Sequence, residues 1–348
     1  MGSPADYAKV VPRLRALKAR LVGDDKFREL AAVAKIDDAL AIVRETMYSR
    51  ALEAKTLYGM QERMMAIFWE NASPLKELLP ERSRLIVEAF LREEELKDLL
   101  VMLARIVQGR PSIWGLPTAR IEGTLAKRVA SDPEAVSSQT GFLDAVKDSW
   151  AGRPVEEALQ AYRETGDPAA ILWSHTPLSA AAYSQALKSL DPGDRIGAER
   201  VLCPIIEYKL VSSLIQAKSM DLEPRVVDRL LSGISQCGIE WKLYRQAYDR
   251  EPGPLELATS LRELAKVVRL DGRGMDEIME SARRSFKLSL KRACAAAYSA
   301  YPFTPALAAA GVALLRINME DMLAALQSII LGLKADEYAQ AMTVAVVE

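Results

Sequence analysis

Glu95-Leu96-Lys97-Asp98-Leu99-Leu100-Val101-Met102-Leu103-Ala104-Arg105-Ile106-Val107-Gln108-Gly109 has a second version far downstream, Asn318-Met319-Glu320-Asp321-Met322-Leu323-Ala324-Ala325-Leu326-Gln327-Ser328-Ile329-Ile330-Leu331-Gly332. Asp98, Leu100, Leu103, Ile106 and Gly109 recur at the same offsets as Asp321, Leu323, Leu326, Ile329 and Gly332. A spacing of three keeps the shared apolar residues near one face of a helix, and the closing glycine suits a left-handed cap. Two such stretches so far apart point to a duplicated architectural unit. A weaker middle copy is read at 207–220, through Glu207, Leu214, Ile215 and Lys218.

Outside these stretches the chain also reads as helix. Prolines and glycines fall between apolar-periodic runs, at Pro74, Pro80, Gly109 to Pro117, Pro133, Pro154, Pro168, Pro177, Pro192, Pro224, Pro252 to Pro254 and Pro302 to Pro305. β-Branched alternation bounded by tight turns is close to absent. The expected class is all-α, with about fourteen helices. They include 52–70, 83–108, 177–189, 198–219, 254–270, 275–300 and 317–331. In the 83–108 helix, Leu96, Leu99, Leu100, Leu103, Ile106 and Val107 form the apolar stripe, while Glu93, Glu94, Lys97 and Arg105 are expected to face water. Three units of similar length follow, 1–115, 116–224 and 225–348.

The composition narrows function. Half of the 348 residues are hydrophobic and 27% are charged, as in a folded, soluble protein. Lysine plus arginine (46) balances aspartate plus glutamate (47), so no general field draws the chain to nucleic acid. Cys203, Cys237 and Cys294 make no Cys-x-x-Cys pair. They are expected to be buried thiols of a reducing cytoplasm, without a disulfide. The N-terminus shows no signal segment. The uncharged run from Ala293 to Leu315 has the length of a membrane span. Tyr301-Pro302-Phe303-Thr304-Pro305 divides it, with Thr304 as an N-cap and Pro305 at the first helical position, so two helices and a corner are expected.

Catalytic constellations are hard to assemble. The single histidine, His175, precedes an expected helix start and reads as structural. Gly233-Ile234-Ser235-Gln236-Cys237-Gly238 misses the nucleophile-elbow spacing, and Asp271-Gly272-Arg273-Gly274 reads as a turn. Asp24-Asp25 and Asp37-Asp38 lack the further aspartate of a terpenoid-synthase magnesium motif. No cofactor or metal is expected.

The residues resemble a known family. Tyr7 and Arg13-Leu14-Arg15-Ala16-Leu17-Lys18-Ala19-Arg20-Leu21-Val22 are similar to the first helix of the C subunit of A/V-type rotary ATPases, the counterpart of the eukaryotic vacuolar ATPase d subunit. Glu45-Thr46-Met47-Tyr48 resembles that family's Glu-Thr-x-Tyr, and 91–111 resembles its Asn-Asp-x-x-Asn-Leu helix ending in glycine. Pro302-Phe303, Gly332-Leu333 and Asp336-Glu337 are similar to its C-terminal segment. The family's asparagines are replaced by Glu94, Asp98 and Asp321, with Ser213 in the middle copy. Its Asp-Arg-x-Tyr-Tyr pattern shrinks to Ala182-Tyr183, and Pro12 replaces an alanine.

The resemblance implies a funnel-shaped helical socket with pseudo-three-fold symmetry, peripheral on the cytoplasmic face of the membrane. It implies partners, the D and F subunits of the central shaft and the membrane proteolipid ring. It also implies a torque-passing role without an active site or a transmembrane segment. Arg13, Arg15, Arg20, Glu94, Asp98 and Asp321 are the expected partner contacts. An α-helical repeat adaptor is the alternative, and a terpenoid-synthase-like enzyme the more distant one.

Overall fold

The computed structural model describes residues 4–33, 35–54 and 56–332. These form α-helices α1 (Pro4–Tyr7), α2 (Val10–Arg20), α3 (Asp24–Ala32), α4 (Ile36–Arg44), α5 (Leu57–Glu77), α6 (Glu81–Val107), α7 (Leu125–Ala130), α8 (Pro133–Ser137) and α9 (Gln139–Val146). The chain continues with α10 (Gly152–Thr165), α11 (Ala169–Ser189), α12 (Pro192–Ser219), α13 (Pro224–Leu231), α14 (Trp241–Arg250), α15 (Pro254–Leu264), α16 (Met275–Ser299) and α17 (Pro305–Ile330). No strand occurs among the described residues, as the all-α reading expects. No helix among them is long and apolar enough to cross a membrane. The corner between α16 and α17 falls where Thr304 and Pro305 place it.

Several helices run through prolines that were expected to mark their boundaries. α5 continues past Pro74 and α11 past Pro177, so α11 begins eight residues before the expected start and takes in His175. Each proline removes one backbone donor. Pro177 is buried, and tertiary packing on both sides of it offsets that loss. Where proline sits at the first helical position, as in α8, α13, α15 and α17, no intrahelical bond is lost, because an N–H there has no helical carbonyl four residues back to bond.

Contacts gather the chain into two compact units. The first comprises 1–87, 191–201 and 284–348, and the second 88–190 and 202–283. These limits cut across the three consecutive segments read from the sequence. Repetition along a chain and clustering of contacts are different properties.

In the first unit α17 is the central element, buried almost throughout from Pro305 to Ile329. The apolar face of α2 (Val10, Val11, Leu14, Leu17) packs on it. Gly311 permits that approach, because a Cβ there would stand 2.5 Å from Leu14 Cδ2. Tyr298 Oη donates to the Leu14 carbonyl at 3.1 Å and fixes the same turn.

The second unit is organised around the C-terminal half of α6. Leu99, Leu100 and Leu103 join Phe142, Val146, Val155, Leu159 and Ile171 in one core, all fully buried. The indole of Trp173 donates to the Ser213 carbonyl at 2.9 Å, tying α11 to α12. Phe90 and Tyr183 meet edge to face with ring centres 5.0 Å apart.

The sulfurs of Cys203 and Cys237 are bonded, with Cα atoms 5.4 Å apart. This corrects the expectation of three free thiols, which holds for Cys294 alone. A separation of 34 residues carries no sign that the fold will bring the two together.

Candidate functional site: a basic helix face and the buried polar anchors

α2 presents its polar side to solvent. Arg13, Arg15 and Arg20 are exposed, together with Lys9 and Lys18, and the helix has no acidic residue. Lys18 and Arg20 lie in the last turn, where the helix dipole favours cations. Lys18 Nζ also stands 4.6 Å from the centre of the Tyr298 ring. Beside Arg20 an open hollow is lined by Lys26, Glu45, Thr46 and Arg50. Lys26 donates to Glu45 at 2.7 Å, and that bond holds the Glu45 carboxyl below its usual range. Thr46 Oγ1 donates to the Val43 carbonyl and accepts from Tyr48 N, which turns the fully buried Tyr48 inward.

The predicted acidic contacts, Glu94 and Asp98 on α6 and Asp321 on α17, are placed differently. They are buried, as are Glu93 and Glu95, each 7% exposed or less. The expectation that Glu93 and Glu94 face water is therefore wrong, and of the four residues assigned to that face only Lys97 is fully exposed. α6 is packed on more sides than a single apolar stripe would allow. Arg105 is half-buried and donates to the carbonyls of Ser112 and Trp114, bracing the loop beyond Gly109.

Asp98 Oδ2 accepts from both the backbone N–H and the hydroxyl of Thr118, at 2.7 Å each. Burial raises its carboxyl to about 6 despite those two bonds, which act in the opposite direction. Asp321 is met by Lys287 Nζ at 3.3 Å, and the same ammonium reaches Glu320 at 3.1 Å. Both aspartates are engaged within the chain.

Three long helices share a pattern that the sequence shows only in part. α6, α12 and α17 are each followed by a left-handed residue, Gly109 (φ 69°), Asp221 (φ 52°) and Gly332 (φ 67°). About four turns before that residue each helix carries a buried polar side chain that binds backbone elsewhere. Glu95 Oε1 accepts from Leu125 N at 2.9 Å, an otherwise orphaned donor at the start of α7. Glu207 accepts from the N–H groups of Lys266, Val267 and Val268 at 2.6 to 2.9 Å. Asn318 accepts from Val22 N at 3.1 Å and donates to Val22 O at 2.8 Å. Side-chain chemistry follows the target: carboxylates where only donors are offered, an amide where a donor and an acceptor are offered together. In this register Leu210, not Ser213, takes the place of Asp98.

Sequence reasoning missed one further cluster. Glu93 accepts from Lys209 Nζ and from Tyr183 Oη, both at 2.6 Å, and its backbone carbonyl accepts from His175 Nε2 at 3.0 Å. The carbonyl can only accept, so Nε2 carries the hydrogen. Burial, helped by the charge of Lys209, lowers His175 to about 4 and keeps the ring neutral. The cluster locks α6, α11 and α12 together.

Comparison with known proteins agrees with the sequence resemblance. The profile of a family described as ATP synthase (C/AC39) subunit matches residues 10–237, well over half of the chain. The C subunit of the A-type ATP synthase of Pyrococcus horikoshii is 23% identical over 297 residues, covering 80% of this chain and 75% of that protein. Its counterpart in the A-type ATP synthase of Pyrococcus abyssi is 23% identical over 234 residues, covering 65% of this chain and 60% of that protein.

Proposed function

The chain belongs to the ATP synthase (C/AC39) subunit family, and from that premise we propose that it is the non-catalytic central-stalk subunit of an A/V-type rotary ATPase. In this reading it sits peripherally on the cytoplasmic face, between the membrane proteolipid ring and the D and F shaft subunits. It passes torque between ion transport and ATP turnover. The family match carries the proposal. It is supported by an interior whose buried charges are spent on fixing helices, since a torque-bearing part needs stiffness rather than a reactive cleft. The division into 1–115, 116–224 and 225–348 is retained as part of the proposal. A left-handed closing residue and a buried polar anchor about four turns before it, present in α6, α12 and α17, support it.

Contact with the shaft or the ring is assigned to the exposed face of α2, through Arg13, Arg15 and Arg20. Asp98 and the buried Glu94 one turn before it on α6, and Asp321 on α17, are positions where substitution tests the fold rather than a contact. The defining experiment is purification of the tagged chain from native membranes. Recovery of the shaft subunits and the proteolipid ring supports the rotor assignment, and recovery of a different partner alone puts the adaptor reading first. Replacing Arg13, Arg15 and Arg20 together by glutamate should weaken assembly by about tenfold or more, most at low salt, with an unchanged circular-dichroism spectrum. Unchanged assembly would remove α2 from the interface.

A further inference from the structure

The fold sorts the three cysteines into two kinds. Cys294 on α16 is fully buried, and burial holds its thiol well above the ordinary range. A thiol so placed neither ionises readily nor meets a reagent. Cys203 on α12 and Cys237 between α13 and α14 are both half-buried, within reach of solvent, and bonded to each other.

Cys237 holds a backbone φ of 66°, followed by Gly238 at the same angle. The left-handed region is disfavoured for a residue with a Cβ, so contacts beyond the local chain must hold it there. Ile234 and Ile239 are buried on either side. Lys266 Nζ donates to the Gly238 carbonyl at 3.0 Å, Lys188 Nζ reaches the Gly233 carbonyl at 3.3 Å, and the sulfur is tied to Cys203. Glu207, one turn beyond Cys203 on the same helix face, binds the backbone of Lys266 to Val268. α12 thus grips two neighbouring segments from adjacent turns, one through a carboxylate and the other through a sulfur bond. Only the sulfur bond can be made and broken by exchange.

We propose that Cys203 and Cys237 form a reversible thiol–disulfide exchange site, served by a low-molecular-weight disulfide, that latches segment 232–240 to α12. Oxidation begins when one cysteine thiolate attacks the small disulfide, forming a mixed disulfide and releasing one small thiol. The second cysteine thiolate then attacks the protein sulfur of that mixed disulfide and expels the other small thiol. Both protein thiols are oxidised, one small disulfide is reduced, and the two protons leave on the two small thiols. Reduction runs the same steps backwards. The site stands independently of the rotor assignment, since both cysteines lie within the second unit.

The test uses the full chain, equilibrated with oxidised glutathione or with dithiothreitol that is then removed. Native alkylation with N-ethylmaleimide followed by intact mass should add no label to the oxidised chain and two to the reduced chain, the third only after unfolding. Amide hydrogen exchange of 232–240 should speed up by about tenfold or more on reduction, and Cys203→Ser should show the fast rate whether or not reductant is present. Reduction of the wild-type chain needs no substitution, so a folding defect in the variant leaves the comparison intact. Equal exchange of 232–240 in both states, or thiols that oxidised glutathione leaves unpaired, would overturn the proposal.

Discussion

Asp98 and Asp321 stand at the same offset before the closing glycines of α6 and α17, and the fold answers them differently. Asp98 is buried against neutral donors, a backbone N–H and a hydroxyl from Thr118. Asp321 is buried against the ammonium of Lys287. Both helices keep a position for a buried polar group together with a glycine cap, while the group that balances it differs between them. In α6 the uncompensated charge raises the affinity of the carboxyl for a proton. In α17 a second buried residue carries the compensation.

Breaking the compensation should have the largest effect. Lys287→Met leaves Asp321 buried without its cation and should destabilise the chain by about 3 to 5 kcal/mol. Thr118→Val at the other copy removes one hydroxyl and keeps the backbone donor, so about 1 to 2 kcal/mol is expected. Urea unfolding of the two variants measures the contrast, and equal losses would erase the distinction between the copies.

Neutralising the acids should sharpen it. The folded Asp98 carboxyl lies near 6, above its ordinary 3.8, so the fold binds its proton more tightly than the unfolded chain does. Its contribution is complete below about pH 4 and is lost as pH rises through 6. Asp98→Asn should therefore stabilise the chain by about 2 to 3 kcal/mol at pH 7 and by little at pH 4. Asp321→Asn should instead destabilise, by about 1 to 3 kcal/mol, because it deprives Lys287 of a partner. Denaturant titrations across pH 4 to 8 read both signs.

His175 supplies the opposite slope within the second unit. Its folded value near 4 lies below the ordinary 6.5, so its stabilisation is complete above 6.5 and lost as pH falls towards 4. Relative to the parent chain, His175→Asn should gain up to about 3 kcal/mol on going from pH 7 to pH 4. Asp98→Asn loses its advantage over the same interval. Parallel pH profiles for the two variants would show that neither group titrates as its surroundings dictate.

The smallest effects concern the caps. Gly109→Ala and Gly332→Ala place a Cβ at left-handed φ with no atom within 4 Å of it, so each should cost about 1 kcal/mol through the backbone alone. Asp221→Gly, at the third cap, should gain about 0.5 to 1 kcal/mol. Thermal midpoints resolve the series, and a loss in Asp221→Gly would assign its side chain a role that φ does not explain.

Both glycine caps were legible in advance, because a left-handed cap is a local requirement that one residue type meets best. The third escaped notice because Asp221 fills it, and that substitution is one reason the middle copy reads so weakly. Glu93 and Glu94 were misread for a different reason. Three consecutive carboxylates look solvated, and only partners such as Lys209 and Tyr183, about a hundred positions away, explain their burial. The arginines of α2 were named through the family resemblance alone, and the structure shows them exposed while Val10, Leu14 and Leu17 claim the opposite face.

The sequence by itself determined the helical class, the cap glycines, the corner before Pro305 and the family. All of these rest on spacing within a few turns or on short motifs in order. Tertiary structure alone decided which acids are buried, that Asp98 meets a threonine and Asp321 a lysine, that helices continue through Pro74 and Pro177, and that Cys203 finds Cys237. Each of these depends on residues far apart in the chain, where the energy lies in desolvation and pairing and local periodicity carries no record of the partner.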